Sequence, residues 1–366
     1  MARRHGKTGN NNLSQSVNPD FWAGKRVMLT GHTGFKGSWI SLWLSAMGAN
    51  LRGLSLPSVY EPCLFNVARV SQLIQNRFID IRDFQAVKSE ITNFQPEILI
   101  HLAAQPLVRF SYQDPIGTYS TNIMGTLNIL EAARVTESLK VIVNVTSDKC
   151  YENDGSWKSL TEAEPMGGDD PYSSSKGCSE IISRAYRTSF LTKRGINLAT
   201  ARAGNVIGGG DWSANRLVPD VLRSLVTGEP LVIRNPDYVR PWQHVLEPIS
   251  GYLLLAEKLY LDGSNYAEGW NFGPGQDSEK SVSWVAEFLL NASGNVPSWS
   301  VEECQLAEAP CLKLDSSKAN SRLNWQPRWC IATALSLTLD WHNKWVARGD
   351  MQKECLNQIL FYEENQ

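Results

Sequence analysis

Long hydrophobic runs are missing from this 366-residue sequence. None approaches the roughly eighteen consecutive apolar residues that a membrane-spanning helix needs, so no membrane partner is expected. A surplus of positive charge is missing too. With 35 Lys and Arg against 37 Asp and Glu, the chain has no cationic excess with which to neutralise a nucleic-acid backbone, and nucleic acid is not an expected partner. Histidine is scarce, and the seven cysteines, at 63, 150, 178, 304, 311, 330 and 355, form no C-x-x-C pair and have no regular histidine companions. That excludes the usual zinc spacings and gives no disulfide framework. No metal is expected, and the thiols read as reduced in a cytoplasmic protein. The opening "MARRHGKTGNNNLSQSVNPD" has a basic head without an apolar core, fitting neither a secretory signal nor an anchor. Residues 1–20 are expected to form a disordered leader.

What is present is an ordinary globular composition, 42% hydrophobic and 20% charged, sufficient for a real core. From Lys25 onward, short apolar runs ("RVMLT", "LRGLSL", "RFID", "EILIHL", "KVIVNV") alternate with helix-length amphipathic stretches, among them a long segment from Tyr112 to Ala133. Such alternation implies βαβ units and therefore a parallel sheet covered on both faces. The expected class is α/β, doubly wound, with residues 21–204 forming mainly the sheet domain. A helix over Pro171 to Leu191 and a strand over Asn197 to Ala203 complete it. Beyond "GNVIGGGDW" the regularity fades. Residues 205–366 read mainly as a smaller lobe with helices over 217–227, 245–260 and 281–291, short strands such as "LVIR" and "WNFG", and some segments returning to the sheet. Ligands of such folds bind in the cleft at the carboxyl ends of the strands.

"VMLTGHTGFKGSW" runs from a strand through a glycine-rich turn into a helix, with glycines at 31, 34 and 37. Gly31 permits the tight turn, Gly34 lets backbone approach a pyrophosphate, and Gly37 allows helix and strand to pack closely. The whole turn, with His32, Phe35 and Lys36 between the glycines, is the candidate dinucleotide cradle. The acidic residue expected at the end of the second strand, about 20 residues on, is absent. Ser55 stands there, so NAD is favoured with NADP left open. Asp80, with Ile81 beside it, is a candidate for the adenine. The small residues of "HLAAQ" place Leu102, Ala103 and Ala104 where backbone can lie against the cofactor.

"DDPYSSSKG" puts Tyr172 and Lys176 four residues apart, on one helix face. An ammonium beside a phenol favours the phenolate and should pull Tyr172 down from ~10. In "VTSDKCY", Ser147 is expected at a strand end to hold a substrate alcohol, with Thr146 before it and Asp148 and Lys149 after it. A bare Tyr-x-x-x-Lys pair is more often surface decoration, and Asp148 with Lys149 alone would read as a surface ion pair worth little. Together with the glycine turn they make a catalytic set.

"TGHTGFKG", "HLAAQ", "YSSSK" and "ARAGNVIG" resemble the extended short-chain dehydrogenase/reductase family of sugar-nucleotide epimerases and dehydratases. The likeness runs from Lys25 to about Trp329 and includes the closing "LKLDSSKANSRLNWQP". "TSDKCY", "EPMGGDDPYS", "GNVIGGGDW" and "RPWQHVLEP" are most similar to the branch of 4,6-dehydratases acting on CDP-glucose. The resemblance implies a Rossmann-type fold, NAD as cofactor, and a nucleotide sugar, CDP-glucose, in the second lobe. It further implies Tyr172 as base towards the C4 hydroxyl with Lys176 supporting it, and Asp148 and Lys149 as the acid–base pair for water loss. Which of those two removes the C5 proton stays open. Gln105, Asn205, Arg234 and Arg240 are substrate-binding candidates, the arginines because guanidinium forks suit phosphate oxygens. A homodimer or larger homo-oligomer, and a place in making deoxy sugars for surface polysaccharide, are implied in the same way. The alternatives are a 4-epimerase, a dehydratase of another nucleotide sugar, and, more remotely, a non-catalytic dinucleotide-binding protein.

Overall fold

The computed structural model describes residues 15–153, 155, 157–294, 298–302 and 311–364. Seven strands, β1 (Arg26–Thr30), β2 (Asn50–Ser55), β3 (Gln75–Phe78), β4 (Ile98–His101), β5 (Val141–Val145), β6 (Asn197–Ala203) and β7 (Gly269–Phe272), form one sheet in the order β7-β6-β5-β4-β1-β2-β3. Every pairing is parallel. Two-sided burial explains the continuous apolar runs, since β4 (ILIH) and β5 (VIVNV) are buried at every position. Chain order reverses between β1 and β4, the switch point at which such sheets open a crevice. Register sharpens this: Thr30 pairs with His101, and His101 with Asn144. The turns beginning at Gly31, Leu102 and Thr146 therefore leave the sheet at nearly one level.

Helices cover both faces. On one, Trp39, Ile40 and Trp43 of α1 (Phe35–Ala46) pack with Leu29, Ile100 and Val143. On the other, Val87 and Ile91 of α2 (Phe84–Phe94) and Ile129 and Leu130 of α3 (Thr126–Arg134) pack on Met28, Leu99 and Ile142. Each fully buried Ile or Leu here contributes about 1.5–3 kcal/mol. α4 (Pro171–Tyr186), capped by Asp170, whose side chain accepts from the Ser173 amide, crosses the carboxyl edge. α5 (Leu217–Thr227), α7 (Val282–Ala292) and α8 (Ile331–Val346) enclose a separate small core, that of the second lobe. Between them in sequence, α6 (Leu246–Asp262) returns to the sheet domain and packs with α1's face. The final helix, α9 (Met351–Glu364), lies against α1, with Trp43 and Tyr362 ring centroids 5.8 Å apart. Among the described residues no helix is long and apolar enough to cross a membrane.

Two expectations change. Residues 1–14 of the expected leader lie outside the described residues, but residues 15–20 are built into the fold. Val17 is buried, the Gln15 amide donates to the Asn324 carbonyl, and the Asn18 amide donates to Glu257 at the start of a short helix, Pro19–Trp22. The segment from Tyr112 to Ala133 is not one helix. Pro115 lacks an N–H and pushes Asp114 out of helical geometry, so one helix stops at Gln113 and the Asp114 carboxylate starts the next by accepting from Gly117.

A buried carboxyl fastens the carboxyl-terminal segment. Glu247 accepts the backbone N–H groups of Arg328 and Trp329 and the Tyr362 hydroxyl (2.7 Å). Burial lifts it to about 7 despite those bonds. Its folded value exceeds its ordinary one, so its stabilising contribution is full below about pH 4.5 and is lost as pH rises through 7. Glu247→Gln keeps an acceptor for both amides and removes the titration. Thermal unfolding of this variant between pH 5 and 8 should be flatter than wild type by on the order of 2–3 kcal/mol; an unchanged slope would remove Glu247 from the pH response.

Candidate active site

The glycine turn is shaped by contacts that only glycine allows. Gly31 has φ +76°, and a Cβ there would sit 2.7 Å from the Ala103 nitrogen. A Cβ at Gly37 would collide with the Gly31 carbonyl oxygen. Gly34 is the N-cap of α1, where a Cβ would meet only the Gly31 oxygen at 3.3 Å, and no side chain among the described residues caps the helix. Free N–H groups on an open helix start, with backbone accessible at Gly34, fit a pyrophosphate. The turn thus suits a dinucleotide.

Its side chains divide. The His32 ring is fully buried away from this anion face, with Nε2 2.6 Å from Asn76 Oδ1 and the ring edge-on to Phe65. The imidazole is therefore not available to a phosphate, and only its backbone lines the turn. Phe35 opens α1, partly buried against Gly208. Lys36 reaches towards the catalytic residues, over the Tyr252 ring (5.9 Å). Burial, then the neighbouring Arg216 charge, brings it down to about 8, while Asp148 pulls the other way. Ser55, where a carboxylate was sought, hydrogen-bonds Thr33 of the turn at 2.8 Å.

At the end of β4, the Leu102 and Ala103 amides both donate to Thr30 Oγ1 at 3.1 Å, which brings this backbone, with Ala104 following, against Gly31. His101 bridges Thr30 and Thr126 and is held at about 3 by burial, hence neutral. The Gln105 side chain is committed elsewhere: its amide nitrogen donates to Leu107 and Thr118 and its oxygen accepts from the Leu107 amide. It knits this loop, with one acceptor position of its oxygen left beyond these bonds. Asp80 lies two residues beyond β3, clamped by Arg82, whose hydrogen bonds hold it below the usual carboxylate range. Ile81 is buried beneath Gly125.

The catalytic candidates converge where β5 ends against α4. Ser147, Asp148, Tyr172 and Lys176 are each less than one-tenth exposed. Ser147 acts on the Tyr172 phenol, in the direction that lowers its pKa, and donates from Oγ to Asp148 Oδ1 at 3.0 Å, so phenol, hydroxyl and carboxyl lie together. Asp148 Oδ2 is buried with no partner among the described residues. Burial raises the Asp148 pKa, opposed by Lys149, Ser147, Lys36 and Arg240. Lys149, in the same turn, is half-buried. Lys176 donates to the Val145 carbonyl at 3.4 Å, and burial brings it down to about 8. One expectation reverses. Burial outweighs every favourable charge at Tyr172 and pushes it up to about 12.

The lobe supplies groups that spacing did not reveal. Arg216, just before α5, is held by Asp211 at 3.0 Å, and its charge acts on both Lys36 and Tyr172. Tyr252 of α6 is fully buried with its hydroxyl unpartnered among the described residues, near Asp148 and Tyr172. Arg240 is buried over Tyr238 and acts on Asp148, whereas Arg234 lines a separate polar pocket of about 220 Å³ with Asn215, Arg223 and Glu302. The two arginines therefore face different spaces. Asn205 follows β6 at the cleft edge, its carbonyl accepting from the Gln243 amide.

A CDP-glucose 4,6-dehydratase from Salmonella typhimurium is 49% identical over 341 residues, covering 92% of this chain and 95% of its own length. Among solved structures, a UDP-glucose 4-epimerase from Thermotoga maritima superposes with a TM-score of 0.79 at 22% identity, covering 88% of this chain and 99% of that one. A dTDP-glucose 4,6-dehydratase from Streptomyces venezuelae with NAD bound gives 0.78 at 23%, covering 90% and 100%. At these identities the two structures speak for the fold alone. A family profile, GDP-mannose 4,6 dehydratase, matches residues 28–338, most of the chain. This chain belongs to that family, within the extended short-chain dehydrogenases/reductases.

Proposed function

We propose that the protein converts CDP-D-glucose to CDP-4-keto-6-deoxy-D-glucose, an NAD-dependent loss of water. The carrying observation is the convergence of Tyr172, Ser147 and Asp148, the last two hydrogen-bonded to each other, with Lys149 in the same turn. An epimerase has no need of an acid–base pair beside its tyrosine, and the 49% identity to a CDP-glucose dehydratase supports both reaction and base.

NAD would supply the hydride acceptor for C4 and the hydride donor for C6. The glycine turn and the backbone from Leu102 to Ala104 would hold it, with Thr146, Lys176, Asp80 and Ile81 as further contacts. Ser147 orients the C4 hydroxyl and Tyr172 takes its proton, which requires the phenolate that Lys176 and Arg216 favour. The C4 ketone acidifies C5–H. Lys149 removes that proton through its amine lone pair while Asp148, whose pKa burial raises, gives its own to the departing C6 hydroxyl. Water leaves, and the C5 proton is restored as C6 is reduced. Arg240 and Asn205 hold the diphosphate and sugar side, and Arg234 the outer nucleotide. The protein works in the cytoplasm as a homodimer. Its buried Cys63, Cys150, Cys311 and Cys355 are unpaired, and Phe110, Ile116, Met124 and Ile181 form an apolar exposure around α3 and α4.

Product analysis by mass with CDP-, dTDP-, GDP- and UDP-linked hexoses tests the reading. CDP-glucose should lose one water at a kcat/KM at least ~10-fold above the other three. Turnover of another nucleotide sugar in its place, or a product of unchanged mass, would overturn it.

A further inference from the structure

Beneath the catalytic residues lies a buried ion pair that the proposed chemistry does not use. Glu180 is one turn beyond Lys176 on α4, on the face that carries Tyr172, and is 5% exposed. Its Oε1 accepts from Thr146 Oγ1 (2.5 Å) and Arg202 Nε (2.8 Å), and its Oε2 from Thr200 Oγ1 (2.6 Å) and Arg202 (2.7 Å). Burial alone would raise this carboxyl, but those bonds, Arg202 first, hold it below the usual range. The remaining arm of Arg202 donates to the Tyr151 hydroxyl at 2.5 Å, and that hydroxyl donates to Asn271 Oδ1 of β7 at 2.7 Å. Asn271 in turn donates to the Leu160 and Asp315 carbonyls. Space for the guanidinium comes from Gly269, where a Cβ would collide with it.

The attachment points matter. Thr146 immediately precedes Ser147, and Tyr151 immediately follows the turn Asp148–Cys150. Both ends of the turn carrying Ser147, Asp148 and Lys149 are thus tied to one ion pair, whose Glu180 belongs to the helix carrying Tyr172 and Lys176 and whose Arg202 belongs to β6. We infer that Glu180 and Arg202 are positioning residues that set the catalytic turn against the catalytic helix, so that C4 oxidation, which uses Ser147 of the turn with Tyr172 of the helix, and water loss both depend on them. A buried ion pair is poor value as a stabiliser, because apolar residues of the same volume usually do as well. What it supplies here is a fixed distance between two segments of different chemistry. The inference rests on the dehydratase reading for its kinetic consequence, though not for its structural one.

Removing either charge alone would strand the other in the core, so the test uses Tyr151→Phe, which deletes one hydroxyl. In this variant kcat for deoxy product should fall roughly 10- to 100-fold with KM within about twofold. Single-turnover C4 oxidation should fall as well, because Ser147 belongs to the same turn. Hydrogen exchange over residues 145–152 should quicken by about tenfold while α4 is unchanged, a result independent of any substrate. Unchanged exchange in that segment overturns the inference, as does unchanged kcat with only a lower melting temperature. A second variant, Glu180→Leu with Arg202→Met, removes both charges at similar volume. If it folds and dehydrates at the wild-type rate, the ion pair positions nothing. Quickened exchange in Tyr151→Phe, with a wild-type enzyme that dehydrates no nucleotide sugar, upholds the positioning and defeats the dehydratase reading.

Discussion

A Lys149→Met enzyme will oxidise CDP-glucose at C4 and then stall, releasing deoxy product roughly 10²- to 10⁴-fold more slowly than wild type. Oxidation needs Tyr172, Ser147 and the glycine turn, none of which the substitution touches. Water loss needs a group to take the C5 proton, and in the turn Asp148–Cys150 the two candidates have opposite environments. Asp148 is buried, its pKa is raised by that burial, and one of its oxygens already accepts from Ser147. It is therefore suited to giving a proton. Lys149 is the half-buried neighbour. Lys149→Met leaves Asp148 its burial and its hydrogen bond from Ser147, so the acid stays in place in the variant and the defect falls on the base. The measurement is absorbance of reduced nicotinamide after one equivalent of substrate, followed by product mass. Persistent reduced cofactor with little product is the expected result. Product at the wild-type rate would take Lys149 out of the chemistry.

The parallel sheet and its switch point are legible in the sequence because two-sided burial forces uninterrupted apolar runs such as VIVNV, which nothing else in the chain imitates. Strand 197–203 and helix 217–227 fall where periodicity puts them, the latter closed by Gly228 at φ +71°. Side-chain direction is another matter. His32 and Gln105 sit in the right turns, yet one points into a pocket under Phe65 and the other folds back on Leu107. Residue order within a turn does not encode that choice. Arg216 and Tyr252 escape for a different reason: tertiary packing brings them to the site from 44 and 80 residues beyond Tyr172. Tyr252 reads as one more core aromatic in "SGYLLLAE". Only its unpartnered hydroxyl beside Asp148 and Tyr172 marks it otherwise. Arg216 had one readable sign, a cation five residues after the Asp211 that follows the glycine run.

Tyr172→Phe will remove C4 oxidation itself, by about 10⁴-fold or more, and everything after it, since the phenol is the proposed acceptor of the alcohol proton. Its pH behaviour distinguishes loss of a base from loss of shape. In the protein burial sets Tyr172 near 12 and Lys176 near 8. Below pH 8 the Lys176 ammonium is intact, and each increment of pH enlarges the small phenolate fraction. Above 8 the ammonium, one helical turn away, loses its proton and the field favouring the phenolate weakens. Wild-type single-turnover oxidation should therefore climb with pH up to about 8 and bend over beyond it, and Lys176→Met should lower the rate and abolish the bend. In Tyr172→Phe the residual rate should be flat, with CDP-glucose still bound within about threefold of its wild-type affinity, because the lost hydroxyl acts on the reacting alcohol and not on the diphosphate. Rapid-quench measurement from pH 6 to 10 decides it: a variant that keeps the wild-type ascending limb would show that the proton leaves the sugar by another route.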